Sequence, residues 1–269
     1  MSDSGELIIE KFLPETEPGI VTPIRVVRAK TFTGKSPAIV YLRNQFGEQD
    51  SRALFLSVAK AGKLAVEVDV RGFGETWAPR SVRETSADYF EPRDGVDADF
   101  VYGANFLGRP LLGMRVRDAL KALAFVRSRP DVDPGRISIA GRGQAGVIAL
   151  LTALLDGNVS AAAAEGIPVS YGALALAETY VQPSSLLLQG ALHDFDLGDI
   201  FAALAPRPLL VLNAQDPLGR KMYSPEAETA LKPVQEAYRS ARVPTAFDVR
   251  TAALESETLE TFTRWLAEH

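Results

Sequence analysis

The residues best placed to do chemistry lie in one turn. Residues 137–150 read Ile-Ser-Ile-Ala-Gly-Arg-Gly-Gln-Ala-Gly-Val-Ile-Ala-Leu: a short apolar run, a glycine-dense turn, then an apolar helix. Gly141-Arg-Gly143-Gln-Ala-Gly146 has the Gly-x-Gly-x-x-Gly spacing with which a strand-to-helix turn cradles a pyrophosphate on the helix N-terminus. Glu165, 24 residues beyond Gly141, stands near the position from which such a fingerprint holds a ribose hydroxyl. A dinucleotide such as NAD or FAD is therefore one ligand the spacing could take. Against that reading, several strand-like segments precede the motif, whereas the fingerprint normally opens its domain. Arg142, inside the turn, either reaches into a pocket as an anion ligand or pairs with a nearby carboxylate.

The supply of proton-transfer groups is narrow. The chain has two histidines, His193 and the terminal His269, and no cysteine. Histidine is the usual general base near neutral pH, so His193 is the one internal candidate; the alternative is a hydrogen-bonded packing residue. One internal histidine cannot build a multi-histidine metal site. Asp94, Asp97 and Asp99 do not have the spacing of a calcium loop and read as a solvated acidic stretch. No metal and no cofactor are expected. Ser170 and Tyr171 could line a pocket or serve as turn and core.

The elements that must position these groups alternate between strand-like and helix-like along the whole chain, the pattern of a parallel sheet covered on both faces. Strands are expected over 6–12, 20–29, 38–42, 63–70, 137–140, 160–164, 209–213 and 245–250. Helices are expected over 51–60, after the turn at 141–146 to about 155, over 199–204, from Ser224-Pro225-Glu226 onward, and over 256–267. Val116, Leu120 and Leu123 mark another helix, with Arg115, Arg117 and Lys121 on its other faces. Asp131-Val-Asp-Pro-Gly135 reads as a turn. Residues 77–99 form the longest irregular stretch, of the kind that serves as a lid or binding loop. No internal repeat or composition break interrupts the chain, so residues 1–269 are expected to form one domain.

Composition narrows the partners. With 46% hydrophobic residues the chain can bury a large core. The net charge of −5 and the absence of a basic cluster argue against nucleic acid. No apolar run approaches the roughly 20 residues that span a bilayer, so a membrane is not expected. The lack of cysteine and the polar start, Met1-Ser-Asp-Ser-Gly-Glu, fit a cytoplasmic protein.

Three segments in order carry a resemblance. They are Asp69-Val-Arg-Gly-Phe-Gly-Glu-Thr76, Asp133-Pro-Gly-Arg-Ile-Ser-Ile-Ala-Gly-Arg-Gly143, and Ala205-Pro-Arg-Pro-Leu-Leu-Val-Leu-Asn-Ala-Gln-Asp216. Together they resemble the α/β-hydrolase superfamily. Within it, the third segment and Asp194-Phe-Asp-Leu-Gly-Asp199 are most similar to acetylxylan-esterase-like and prolyl-oligopeptidase-like members. The resemblance implies a three-layer α/β-hydrolase fold with a mostly parallel sheet of about eight strands and no large cap domain. It makes the turn at Gly143 a nucleophile elbow, Gly-x-Ser-x-Gly, in which the serine's place is taken by Gly143. The Gln144 N–H would be the first oxyanion donor, and Asn44, in the loop after Leu42, would supply the second.

The resemblance also places the triad's acid at Asp216, whose other reading is a cap of the turn at Pro217. The triad's histidine would fall near Ala252 and Ala253, where Arg250-Thr-Ala-Ala-Leu-Glu255 offers none. Nucleophile and base are both missing. The expectation is an esterase-like pseudo-hydrolase or binding domain of the acyl or carbohydrate ester type. Its partner would be a small-molecule ester or carbohydrate-like ligand, or a companion catalytic domain. The alternatives are a slow carboxylic-ester hydrolase in which Asp216 or His193 activates water, and the dinucleotide binder above.

Overall fold

The computed structural model describes residues 2–3, 7–32, 34–44, 51–77 and 97–269. Residues 45–47, expected to continue the loop after Leu42, and residues 78–96, including Asp94, lie outside the described residues. In chain order the strands are β1 (Ser2–Asp3), β2 (Leu7–Phe12), β3 (Glu15–Glu17), β4 (Ile20–Val21), β5 (Ile24–Ala29), β6 (Ser36–Leu42), β7 (Leu64–Val68), β8 (Val132–Arg142), β9 (Val159–Glu165), β10 (Leu209–Leu212) and β11 (Phe247–Arg250). The helices are α1 (Ser51–Lys60), α2 (Asp97–Phe106), α3 (Leu111–Ser128), α4 (Gln144–Leu155), α5 (Tyr171–Leu176), α6 (Leu197–Ala202), α7 (Ser224–Ala230), α8 (Lys232–Ser240) and α9 (Glu255–Glu268).

One sheet runs in the order β1-β2-β5-β7-β6-β8-β9-β10-β11, and β3 and β4 form a separate small hairpin. The ladder from β7 through β11 is parallel, while β1, β2 and β5 run antiparallel at one edge. Because β1 is a two-residue edge piece, eight longer strands make up the sheet, as expected. The central strands read as continuous apolar runs because both faces are covered. Val40 packs with Leu123, Ile148 and Phe201, on the face covered by α3, α4, α6 and α8. Ile39 and Tyr41 turn to the other face, against α1 and α9. This is the three-layer arrangement.

Helix α4 sits unusually close to the sheet. A Cβ on Gly141 would lie 2.5 Å from the Ala145 carbonyl group, and one on Gly146 would lie 2.7 Å from Ile167 Cγ2. Neither position has room for a side chain. The run of alanines in β9 serves the same approach, since Ala164 Cβ would stand 3.2 Å from a Cβ on Gly146.

At the C-terminal ends of β8–β11 a polar network joins the strands. Asn213, at φ 52°, donates from Nδ2 to Glu165 Oε1 and to Thr258 Oγ1, both at 2.9 Å. Its Oδ1 accepts from the Ala252 N–H at 2.9 Å. Arg142 donates from Nε to Glu165 Oε2 at 2.7 Å and from Nη2 to Glu255 Oε1 at 2.5 Å. Asparagine tolerates the left-handed backbone better than most residues, and here that conformation lets one amide serve three segments.

A second charged lattice holds the loop after β7. Arg71 binds Asp118 through Nε at 2.7 Å and Nη2 at 2.6 Å, and reaches Glu17 at 2.8 Å. Glu17, on β3, also accepts from Arg109 at 2.7 Å. Hydrogen bonds from Arg71 and Arg109 hold its carboxyl down to about 2, from an ordinary 4.5. Asp69 accepts from the Glu75 N–H at 2.9 Å, and burial pushes its carboxyl up against that bond and the pull of Arg43. Gly74, at φ 53°, is required here, because a Cβ would lie 2.1 Å from Asp69 Oδ1.

Four local expectations change. Arg115, expected on an outer face of α3, is completely buried and paired with Asp97 at 2.6 Å. Asp97 is therefore not part of a solvated acidic stretch but the first residue of α2. The turn expected at 131–135 is instead the exposed head of β8. Ser224 is the first residue of α7 rather than its cap, with Tyr223 before it.

The network at the strand ends carries a measurable share of stability. Asn213→Ala leaves the buried Glu165, Thr258 and Ala252 groups short of a partner, at about 1–3 kcal/mol for an unsatisfied group. A loss of roughly 2–4 kcal/mol in urea unfolding is expected. Glu17 gives a pH signature. Its folded pKa is depressed, so its contribution is full above about 4.5 and is lost as pH falls toward 2. Glu17→Gln should flatten the pH dependence of the unfolding midpoint in that window and leave the slope above pH 5 unchanged.

Candidate functional site

The glycine-dense turn adopts a strained apex. Gly143 has φ 54° and ψ −127°, donates its N–H to Glu165 O at 2.8 Å, and stands directly before α4. Its carbonyl accepts the Gly146 N–H at 3.0 Å, which starts the helix. The three glycines of the motif have different reasons. Gly141 and Gly146 are required by packing. Gly143 is not: the nearest atom to a Cβ there is Asn44 Nδ2 at 3.3 Å. A side chain would fit at the apex, and only the positive φ favours glycine.

The structure places Asn44 beside Gly143, with Gln144 the first residue of α4 after it. Asn44 faces the apex from the end of β6. The Gln144 side chain turns sideways, with Oε1 accepting from Ser185 Oγ at 3.0 Å and from Arg115 Nη1 at 3.4 Å. Serine 185 is buried and Arg115 more so, so this face of the turn is braced from below. Neither residue was legible as part of the site in the sequence. The charge of Arg115 set it apart from the apolar stripe of its helix, and Ser185 lies in a stretch without regular pattern.

The remaining candidates lie elsewhere. Asp216 closes the turn that leads to Arg220, accepting from its backbone N–H at 2.9 Å and from its Nε at 2.7 Å. Burial raises the Asp216 carboxyl, but the bonds from Arg220 outweigh it and the net shift is downward. The turn-capping role accounts for this geometry. His193 ends a 3-10 turn, Ala191–His193, and is exposed. It borders a cleft of about 460 Å³ with Tyr171, Tyr180, Leu187 and Gln189, which neither Gly143 nor Asp216 lines.

Arg142 takes the carboxylate-pairing option, toward Glu165 and Glu255. Glu165, the residue the dinucleotide reading would place on a ribose, accepts from Arg142 on one oxygen and from Asn213 on the other. Ser170 caps α5, accepting from Ala173 N at 2.9 Å and donating to Asp196 at 2.6 Å. Tyr171 is a core residue whose hydroxyl donates to Leu186 O at 2.9 Å, and burial pushes its phenol up. At the place expected for a histidine stands Ala252, buried, with its N–H on Asn213 and its carbonyl accepting from Lys221 Nζ at 3.2 Å.

Among the described residues no group of three or more His, Cys, Asp or Glu could hold a metal ion, and no helix is long and apolar enough to cross a membrane. The apex lies at the N-terminus of α4 with the Asn44 side chain facing it. It does not itself present a hydroxyl.

Comparison with known proteins accords with this geometry. The chain is 24% identical over 227 residues to "Putative hydrolase YtaP" of Bacillus subtilis, covering 79% of this chain and 71% of that protein. Its structure superposes on a "putative acetyl xylan esterase" of Bacteroides fragilis with a TM-score of 0.69, at 18% identity, over 94% of this chain and 68% of the other. It superposes on the acetyl xylan esterase of Paenibacillus sp. R4 with a TM-score of 0.64, at 18% identity, over 100% of this chain and 86% of the other. The fold is that of the α/β-hydrolases. The family model for acetyl xylan esterase (AXE1) matches residues 21–169, more than half of the chain, from β5 through the elbow to the segment after β9. The chain belongs to the acetyl xylan esterase (AXE1) family.

Proposed function

We propose that this member of the family binds a carbohydrate ester at the elbow and does not cleave it by the serine mechanism. One observation carries the reading: the elbow backbone is retained, at φ 54° and ψ −127°, around a residue with no side chain. The serine mechanism needs a hydroxyl at the apex, a base to take its proton, and an acid to orient the base. Here the apex is Gly143, the base position is Ala252, and the carboxylate of Asp216 is engaged by Arg220. His193 is exposed and lines a cleft that does not include Gly143. What the turn keeps is the part that recognises an ester oxygen: a helix N-terminus and the Asn44 amide beside it. The ligand class follows from the family, whose described activity is on acetylated xylan.

The experiment pairs turnover with binding. Isothermal titration with an acetylated xylo-oligosaccharide should show binding to the unaltered chain. Hydrolysis of p-nitrophenyl acetate should not rise above buffer, and Asp216→Ala and His193→Ala should change nothing. Gly143→Ser should fold, at a strain cost of about 1–3 kcal/mol for an L-residue in this conformation, and should remain inactive because no base is in place. Turnover in the unaltered chain that Asp216→Ala or His193→Ala abolishes would identify a working hydrolase. Robust turnover from Gly143→Ser alone would reveal a base elsewhere. Either result overturns the reading, as does a flat titration.

A further inference from the structure

The sheet ends at β11, which among the described residues pairs with β10 alone. The outer side of its backbone is therefore an edge. The Arg250 carbonyl accepts the Asn213 N–H at 2.8 Å, so the Arg250 peptide groups face β10. In a strand the N–H and C=O of one residue point to the same side, and successive residues alternate. Asp248 thus also faces β10, while Phe247 and Val249 turn their N–H and C=O outward. An open row of this kind is a template for a further strand.

The side chains specify which strand. Phe247 packs on Tyr238 of α8, with ring centroids 5.4 Å apart, and Val249 packs against the same core. Asp248 and Arg250 alternate to the opposite face, where Arg250 donates from Nε to Asp248 Oδ1 at 2.9 Å. Arg250 is exposed and Asp248 half-buried. A carboxylate and a guanidinium two residues apart on one face make β11 complementary to itself. Laid antiparallel to a second β11 about a two-fold axis at Val249, the strand sets Asp248 opposite the copy's Arg250 and Arg250 opposite the copy's Asp248.

The backbone requires the same register. Val249 meets its own counterpart as a hydrogen-bonded pair, each giving one N–H and accepting one, which its outward groups allow. The charged residues then fall in the flanking non-hydrogen-bonded pairs, where side chains stand closest, with Cβ atoms about 4.5–5.5 Å apart. Each carboxylate has about four acceptor sites and can serve the guanidinium on its own strand and the one opposite. Neighbouring registers fail. Centring on Asp248 or Arg250 sets like charges opposite each other, which destabilises a pair. Centring on Phe247 or Thr251 sets Asp248 against Ala246 or Arg250 against Ala252.

We propose that β11 pairs with the β11 of a second copy of this chain, antiparallel and centred on Val249, so that one sheet runs through a two-fold dimer. The proposal stands apart from the reading of the elbow.

Sedimentation velocity from micromolar to near-millimolar concentration tests it. The unaltered chain should show a dimer that grows with concentration. Asp248→Arg sets Arg opposite Arg, and Arg250→Asp sets Asp opposite Asp. Each alone should weaken dimerisation at least about tenfold while thermal melts show a folded chain. An equimolar mixture of these two variants should recover the dimer, because every Arg then faces an Asp. The chain carrying both exchanges should recover it alone. Val249→Pro, which removes an N–H directed away from β10, should leave monomer. A monomer at every concentration overturns the proposal. A dimer that survives the single exchanges or Val249→Pro places the interface elsewhere and overturns it too. Single exchanges that weaken the dimer without recovery in the mixture overturn the antiparallel register.

Discussion

The close approach of α4 to the sheet is the constraint from which the rest of the site follows. Two positions, Gly141 and Gly146, have no room for a Cβ, so strand β8 and helix α4 meet nearly backbone to backbone. A chain that must leave a strand and enter a helix within that space turns through a conformation L-residues avoid, which is the strained apex at Gly143. The alanines of β9 and the burial of α4 over most of its surface belong to the same arrangement. The elbow's shape is thus held by packing and does not depend on the side chain at its tip. That independence explains how the geometry persists around a glycine.

Two polar lattices flank this apolar junction. One, built on Asn213, Glu165 and Arg142, ties the ends of β8 through β11 and the start of α9. The other, built on Arg71, Asp118, Asp97 and Arg115, holds the loop after β7 and braces the turn through Gln144. Buried charges are costly unless paired and hydrogen-bonded, and in both lattices nearly every charge meets its opposite at short range. The consequence for function is direct. Side chains with the right chemistry for catalysis or anion binding (Asp216, Arg142, Glu165) are committed to structural partners.

The chain combines the scaffold of the acetyl xylan esterase family with a glycine at the apex of the strand-to-helix turn.

The sequence by itself determined the layer architecture, the succession of strands and helices, and the position and shape of the elbow. Each of these is written in short-range patterns: apolar runs of strand length, helical spacing, and glycines where the backbone crowds. It also determined that a glycine stands at the apex and that the chain has two histidines. The fate of the charged residues was decided only in three dimensions. Arg115 carries the charge of a surface residue, yet it is buried, with Asp97, 18 residues earlier, as its partner. Arg142 and Asp216 could have faced a ligand. They are withdrawn by Glu165 and Glu255 in one case and by Arg220 in the other. Asn213 acquires its role from groups 39 to 48 residues away. Periodicity reports which face of an element is apolar, but it carries no information about which distant segment brings a counter-charge. For that reason the scaffold was legible in the sequence and the electrostatics of the site were not.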